Sequence, residues 1–114
     1  MEPKSNAYLS PEAEYSFRMA TEAAQKGENS RALELIEKIL MNDPHFAMAW
    51  HEKANCLDQM GRCEEALSCY NVAIQLDTYN AETWFNKGLT LKKMGREKEA
   101  FDCMNRGVDL ALGK

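Results

Sequence analysis

The chain lacks any long hydrophobic run and any excess of basic residues. Its apolar stretches are far shorter than the roughly 20 residues that a membrane-spanning helix needs. The polar start, Met1-Glu2-Pro3-Lys4, is followed by no apolar stretch, so it does not resemble a signal peptide. Lys and Arg number 14 against 18 Asp and Glu, a net charge of -4, which argues against a general nucleic-acid binder. We therefore expect a cytoplasmic protein with neither a membrane nor a nucleic acid as partner.

Proline and glycine are scarce as well, with three and six residues respectively. Hydrophobic residues make up 45% of the chain and charged residues 28%, which is typical of a soluble globular domain and unlike a disordered segment. A chain of this length buries roughly 65% of its unfolded surface, so its core needs no metal or disulfide. The composition indicates a single folded unit.

Motifs for catalysis or cofactor binding are missing too. No C-x-x-C pair exists, so we expect reduced thiols and neither a zinc site nor a redox dithiol. The combination of His51, Cys56 and Cys63 lacks the spacing that would place metal ligands on one helix face. The chain contains no recognisable Ser/His/Asp set, carboxylate pair or glycine-rich phosphate loop. We predict that it is not an enzyme and that it uses no cofactor.

What the chain does have is an internal repeat. Trp50 and Trp84 lie 34 residues apart, and residues 47–80 and 81–114 are identical at 12 of 34 positions. Residues 13–46 fit the same period more loosely, with Ser16 in place of the tryptophan. A fixed period of this length is typical of solenoid proteins built from stacked units.

Each period has the pattern of two helices. Trp50, Ala54 and Leu57 recur at i, i+4 and i+7, which places them on one helical face. Gly61 interrupts the pattern and a second apolar set follows it, so we expect a chain reversal there. Ser10-Pro11-Glu12 is a typical helix start, with a capping hydroxyl before a proline in the first turn. No alternating strand pattern is present, which predicts an all-α chain.

These repeats resemble the tetratricopeptide repeat family. The residues that carry the resemblance are Trp50-x-x-Lys53-Ala54-x-x-Leu57 with Gly61, Ala66, Tyr70 and Ala73, and Trp84-x-x-Lys87-Gly88-x-x-Leu91 with Gly95 and Ala100. The resemblance implies a right-handed α-α superhelix of three helix-turn-helix repeats. A polar lead-in and helix start would occupy residues 1–12, followed by a degenerate first repeat at 13–46, a second at 47–80 and a third at 81–114.

The resemblance also implies a function. Members of the family act as scaffolds that hold a peptide or another protein in a concave groove, which the first helix of each repeat lines. Carried over to this chain, the groove positions include apolar, amide and basic residues, namely Phe17, Arg18, His51, Asn55, Phe85, Asn86, Leu89, Lys92 and Lys93. We therefore expect a non-catalytic interaction module that binds an extended peptide or a partner helix. An alternative for Phe17 and Phe85 is that they pack between repeats.

Charge is distributed unevenly, and the final repeat is basic. Lys92 and Lys93 lie at its groove end, which predicts a ligand with an acidic end; a solvated helix face is the alternative. We expect Asp58 and His51 to form an electrostatic pair on the surface of their helix.

Two further expectations concern thiols and the last repeat. Cys69 and Cys103 share a repeat position with Leu35 and should fill the core, whereas Cys56 and Cys63 align with polar residues and should be partly exposed. The last repeat has no polar capping helix, so an apolar patch is expected from Leu91, Met94, Phe101, Met104 and Val108. That patch suggests either a homodimer through the C-terminal repeat or a fragment of a longer array.

Overall fold

The computed structural model describes residues 9–114, and the first part of the predicted lead-in, residues 1–8, lies outside the described residues. The chain forms six α-helices: α1 Pro11–Gln25, α2 Asn29–Asn42, α3 Ala47–Gln59, α4 Cys63–Leu76, α5 Ala81–Lys93 and α6 Glu97–Ala111. No strand occurs between residues 9 and 114. The prediction of an all-α chain made of helix-turn-helix units is confirmed.

Local chemistry sets where the helices begin and where the chain turns. The Ser10 hydroxyl accepts a hydrogen bond from the Ala13 backbone N–H at 3.1 Å, which caps α1 as predicted. The side chain of Asn80 caps α5 in the same way, through the backbone N–H of Thr83 at 3.2 Å. Gly61 and Gly95 have φ angles of 80° and 79°, which a side chain would resist, so glycine is required at these reversals.

The helices pair as hairpins, and the hairpins stack in chain order. Helix α1 packs on α2, α3 on α4 and α5 on α6, while α2 contacts α3 and α4 contacts α5. Helices α1, α3 and α5 also touch one another in sequence, so the first helices of the hairpins form one layer. The result is a superhelical stack of three hairpins, with the layer of first helices on its concave side.

Two tryptophans hydrogen-bond to the loops that precede their hairpins. The indole N–H of Trp50 donates to the carbonyl oxygen of Pro44 at 2.7 Å, and that of Trp84 donates to the carbonyl oxygen of Thr78 at 2.8 Å. Both indoles are half-buried, and the loop carbonyl satisfies the N–H that packing removes from water. The first repeat has Ser16 at this position and lacks this link.

The third repeat departs from the pattern in a compensated way. Gly88 takes the place of Ala54, and a Cβ there would collide with the side chain of Met104. Gly107 takes the place of Ala73, and a Cβ there would lie 2.9 Å from the carbonyl oxygen of Ala81. The two glycines therefore allow α5 and α6 to pack closely around Met104.

The thiols follow the prediction at three positions. Cys69 and Cys103 are buried, and Cys63 is half-buried at the start of α4. The prediction that Cys56 is partly exposed is wrong, because α3 presents this residue to the first hairpin, where it joins the core with Ala20 and Ile36. Burial raises the pKa of the Cys56 thiol to about 11.

We expect Cys63 to be the one thiol that reacts rapidly with a thiol reagent in the native protein. The other cysteines are buried, and burial raises the pKa of each of them. Labelling with Ellman's reagent at pH 8 should show one fast thiol per chain. The substitution Cys63→Ser should abolish the fast phase, whereas Cys69→Ser should leave it intact; a fast phase that survives Cys63→Ser contradicts this assignment.

We also expect Gly107→Ala to destabilise the fold. Alanine is normally the better helix former, but here its Cβ would lie 2.9 Å from the Ala81 carbonyl oxygen and 3.0 Å from the Phe85 amide nitrogen. Relieving such a backbone clash costs about 1–3 kcal/mol. Urea unfolding measures the loss, with Asn71→Ala on the exposed side of α4 as the control. A Gly107→Ala variant as stable as that control would show that α5 and α6 are not in tight contact here.

Candidate functional site: the concave groove

The layer of first helices lines an open cavity on its concave side, and this cavity reaches from α1 to α5. Its volume is about 340 Å³. Polar and apolar side chains both line it: Thr21, Ala24, Gln25, Glu52, Asn55, Asp58, Gln59, Tyr70, Asn86 and Leu89. We refer to this cavity as the groove.

A hydrogen-bonded hub around Asn55 organises the groove floor. The side-chain oxygen of Asn55 accepts hydrogen bonds from the Tyr70 hydroxyl and from the Asn86 amide, the latter at 3.3 Å. The Asn55 side chain also favours the charged form of Glu52, which lies one turn earlier in α3. Asn55 therefore connects α3, α4 and α5 and fixes the position of Asn86.

The charged part of the floor is mainly acidic. Asp58 accepts hydrogen bonds from the Thr90 hydroxyl at 2.7 Å and from the Lys93 ammonium at 2.6 Å. Burial and the nearby charge of Glu82 raise the pKa of Glu52, and the hydrogen bond from Asn55 offsets part of that rise. Lys93 is therefore already paired with Asp58, and the charged side chains that line the cavity are Glu52 and Asp58.

His51 does not lie in the open groove. It is 1% exposed, its Nδ1 lies 2.7 Å from the Thr83 hydroxyl oxygen, and its ring meets the edge of Tyr70. Its expected surface pairing with Asp58 is wrong, because the hydrogen-bond partners of Asp58 come from α5. Burial lowers the pKa of His51, and the charge of Glu82 opposes part of that shift.

The repeat register explains this placement. Phe17, His51 and Phe85 occupy the same position in successive repeats. The ring of Phe17 packs edge-on against that of Phe46, with 5.3 Å between the two ring centroids. Phe85 packs against Gly107 of α6. At this repeat position His51 is buried and Phe17 packs on Phe46, whereas Phe85 contacts Gly107 within its own hairpin.

Arg18 and Lys92 also lie away from the groove cavity. The guanidinium of Arg18 is over the ring of Tyr15, 5.6 Å from its centroid, on the exposed side of α1. Lys92 lines a depression beside α6 instead. Neither residue is among those that line the groove.

Four of the predicted residues come together in the groove region: Asn55, Asn86, Leu89 and Lys93. Thr21, Asn55 and Leu89 share one repeat position and all face the cavity. Glu52 and Tyr70 were missed as groove residues. Glu52 shares a repeat position with Asn86, so the period could have found it, whereas Tyr70 belongs to α4 and reaches the floor only through the tertiary packing.

Within residues 9–114, no helix is long and apolar enough to cross a membrane. The same part of the chain contains no group of three or more His, Cys, Asp or Glu side chains arranged to hold a metal ion, including the combination of His51, Cys56 and Cys63.

We expect His51 to make the fold sensitive to mild acid. The pKa of buried His51 is lowered, and its Nε2 has no hydrogen-bond partner among the described residues, so the unfolded chain binds the proton more readily. Stability should therefore be retained above about pH 6.5 and fall as the pH drops below it.

The second histidine provides the control for this prediction, since His45 is exposed. Urea unfolding at pH 7 and pH 5 should show a smaller difference in unfolding free energy for His51→Gln than for the wild type, and an unchanged difference for His45→Gln. Equal pH dependence in the wild type and His51→Gln would contradict the assignment.

Known proteins share these repeats. A family model described as TPR repeat matches residues 56–95, and one described as Tetratricopeptide repeat matches residues 81–113. An uncharacterized protein of Methanocaldococcus jannaschii is 38% identical over 58 residues, which cover 51% of this chain and 67% of that protein.

Two solved structures show the same fold. The TPR domain of Sgt2 from Aspergillus fumigatus superposes with a TM-score of 0.86 at 22% identity, covering 96% of this chain and 72% of that one. The type III secretion translocator chaperone SycD of Yersinia enterocolitica has a TM-score of 0.87 at 19% identity, covering 93% and 80% of the two chains. With its matching repeats, its relative and its six-helix superhelix, the chain belongs to the tetratricopeptide repeat family.

Proposed function

We propose that the chain is a non-catalytic protein–protein interaction module that binds an extended peptide segment in its concave groove. The observation that supports this most directly is the groove itself, about 340 Å³ of open space lined from three successive first helices. A helix of a partner protein is a bulkier ligand for the same groove. SycD, a type III secretion translocator chaperone, has the same fold, which is consistent with a protein as the ligand.

Leu89 is the apolar anchor point in this proposal. It is 41% exposed and lines the cavity, so its side chain is accessible to a ligand. An exposed leucine beside fixed amides suits a peptide, because the leucine takes an apolar side chain and the amides take backbone groups. Asn86 is the amide best suited to this, since its position is set by Asn55.

The charges favour a basic residue in the ligand. Glu52 and Asp58 line the groove, and burial together with the charge of Glu82 raises the pKa of Glu52, so a cation beside these carboxylates would be favoured. An acidic ligand end, the expectation from the sequence, would have to displace Asp58 from Lys93. We therefore propose an apolar residue followed closely by lysine or arginine as the recognised feature.

The groove floor is also supported structurally. Burial raises the pKa of Tyr70, whose hydroxyl donates to Asn55, so this group stays protonated and holds the floor in place.

Selection of phage-displayed random peptides against the chain, followed by calorimetric titration of a selected peptide, tests the proposal. We expect Leu89→Glu to weaken binding of that peptide at least tenfold, about 1.4 kcal/mol, because it places a charge at the apolar contact. Tyr79→Ser, at a 75% exposed residue outside the groove, should leave binding unchanged.

The same peptide resynthesised with glutamate in place of its basic residue separates the two charge proposals. Weaker binding supports the basic ligand, and tighter binding supports the acidic end. Groove binding itself is refuted if Leu89→Glu remains folded by circular dichroism and binds the selected peptide as well as the wild type does.

A further inference from the structure

Helix α6 carries a row of exposed apolar side chains on its solvent side. Phe101 is 64% exposed, Val108 44% and Leu112 65%. Their spacing of seven and then four residues places them on one helical face. Next to this row is a depression of about 230 Å³, lined by Lys92, Glu97, Ala100, Phe101 and Met104. Leu91 does not contribute to the patch, contrary to the sequence-based prediction, because it is buried against α6.

In the two earlier hairpins, the corresponding face of the second helix packs against the next hairpin. Phe101 occupies the position of Leu33 and Leu67 in the earlier hairpins. Leu67 packs against Leu91 of the following hairpin, and Leu33 contacts the core clusters of both the first and second hairpins. Phe101 is therefore a docking residue whose partner is not within residues 9–114.

The opposite end of the stack does not provide that partner. The positions through which α3 packs on the first hairpin, Ala49 and Cys56, are fully buried. The equivalent positions in α1 are Tyr15 and Glu22, both exposed. Glu22 is charged and the guanidinium of Arg18 lies over the ring of Tyr15, so this end does not offer an apolar face to the row on α6, and head-to-tail stacking of copies is disfavoured.

We propose that α6 packs antiparallel against α6 of a second copy of this chain, around a twofold axis near residues 104–105. This inference goes beyond the proposed peptide binding and does not depend on it. In this arrangement Phe101 of each copy lies opposite Val108 of the other. An isologous contact of this kind covers both apolar faces and closes at two copies.

Charge complementarity supports the second copy as the occupant. Lys98 and Asp109 lie on the same side of the apolar row, near opposite ends of α6. In an antiparallel pair, equal flanks meet, so Lys98 of each copy comes beside Asp109 of the other. Lys98 is available for this, since its side chain is 90% exposed and its contact with Asp102 spans 3.7 Å. Antiparallel helix dipoles add to the attraction.

The dimer would leave the groove open. Helix α6 belongs to the outer layer, whereas the groove is lined mainly by α1, α3 and α5. The two surfaces can therefore be tested separately, and a failure of one proposal leaves the other standing.

Sedimentation equilibrium over a concentration series tests the dimer. The wild type should behave as a dimer that dissociates on dilution. Phe101→Ser combined with Val108→Ser should raise the dissociation constant at least tenfold, whereas Met41→Ser, at an 82% exposed residue of α2, should not change it. A wild type that stays monomeric into the millimolar range, about -4 kcal/mol of association free energy, overturns the proposal and assigns the face to another protein or helix.

Charge reversal tests the antiparallel arrangement, with circular dichroism to check that each variant is folded, because Lys98 is on the surface and Asp109 is half-buried. Lys98→Asp should weaken the dimer, and Lys98→Asp with Asp109→Lys should restore it. Restoration supports the pairing of α6 with α6. A double variant as weak as the single one, or an unaffected single variant, overturns it.

Discussion

The close approach of the two helices in each hairpin is the constraint on which the rest of the structure depends. A small residue of the first helix lies against a small residue of the second in every repeat: Ala20 with Ala32, Ala54 with Ala66, and Gly88 with Ala100. A larger side chain would separate the helix axes, and the hairpin could no longer stack in the same way on its neighbour. Because each hairpin has nearly the same thickness, the first helices align in one layer, and that layer forms the groove.

A residue's role follows from its place in the period more than from its chemical type. Thr21, Asn55 and Leu89 differ in polarity, yet all face the groove. His51 is polar, yet it is buried, because its repeat position belongs to helix packing. The buried imidazole contacts the Thr83 hydroxyl and the ring of Tyr70, and burial lowers the pKa of His51.

The groove and the α6 face offer different chemistry to a partner. The groove combines fixed amides with carboxylates, of which Asp58 is already paired with Lys93. The α6 face combines an apolar row with charges of both signs near its two ends. The first arrangement suits an extended segment with polar groups, and the second suits a helix of complementary sequence. The two surfaces lie on opposite layers of the superhelix, so each can act while the other is occupied.

Periodicity was sufficient to predict the helices, the reversals at Gly61 and Gly95 and the burial of Cys69, because these features depend on local spacing and on a repeat that can be read in one dimension. Packing between repeats decided the rest. Cys56 aligns with polar residues, and only the contact of α3 with the first hairpin buries it. His51 aligns with two phenylalanines, but only the folded stack places it beside Thr83 and Tyr70. In the sequence, Lys93 has no evident partner. In the superhelix it lies beside Asp58, which is 35 residues earlier in the chain. Such contacts join residues that are distant in sequence, and no local pattern encodes the distance between them.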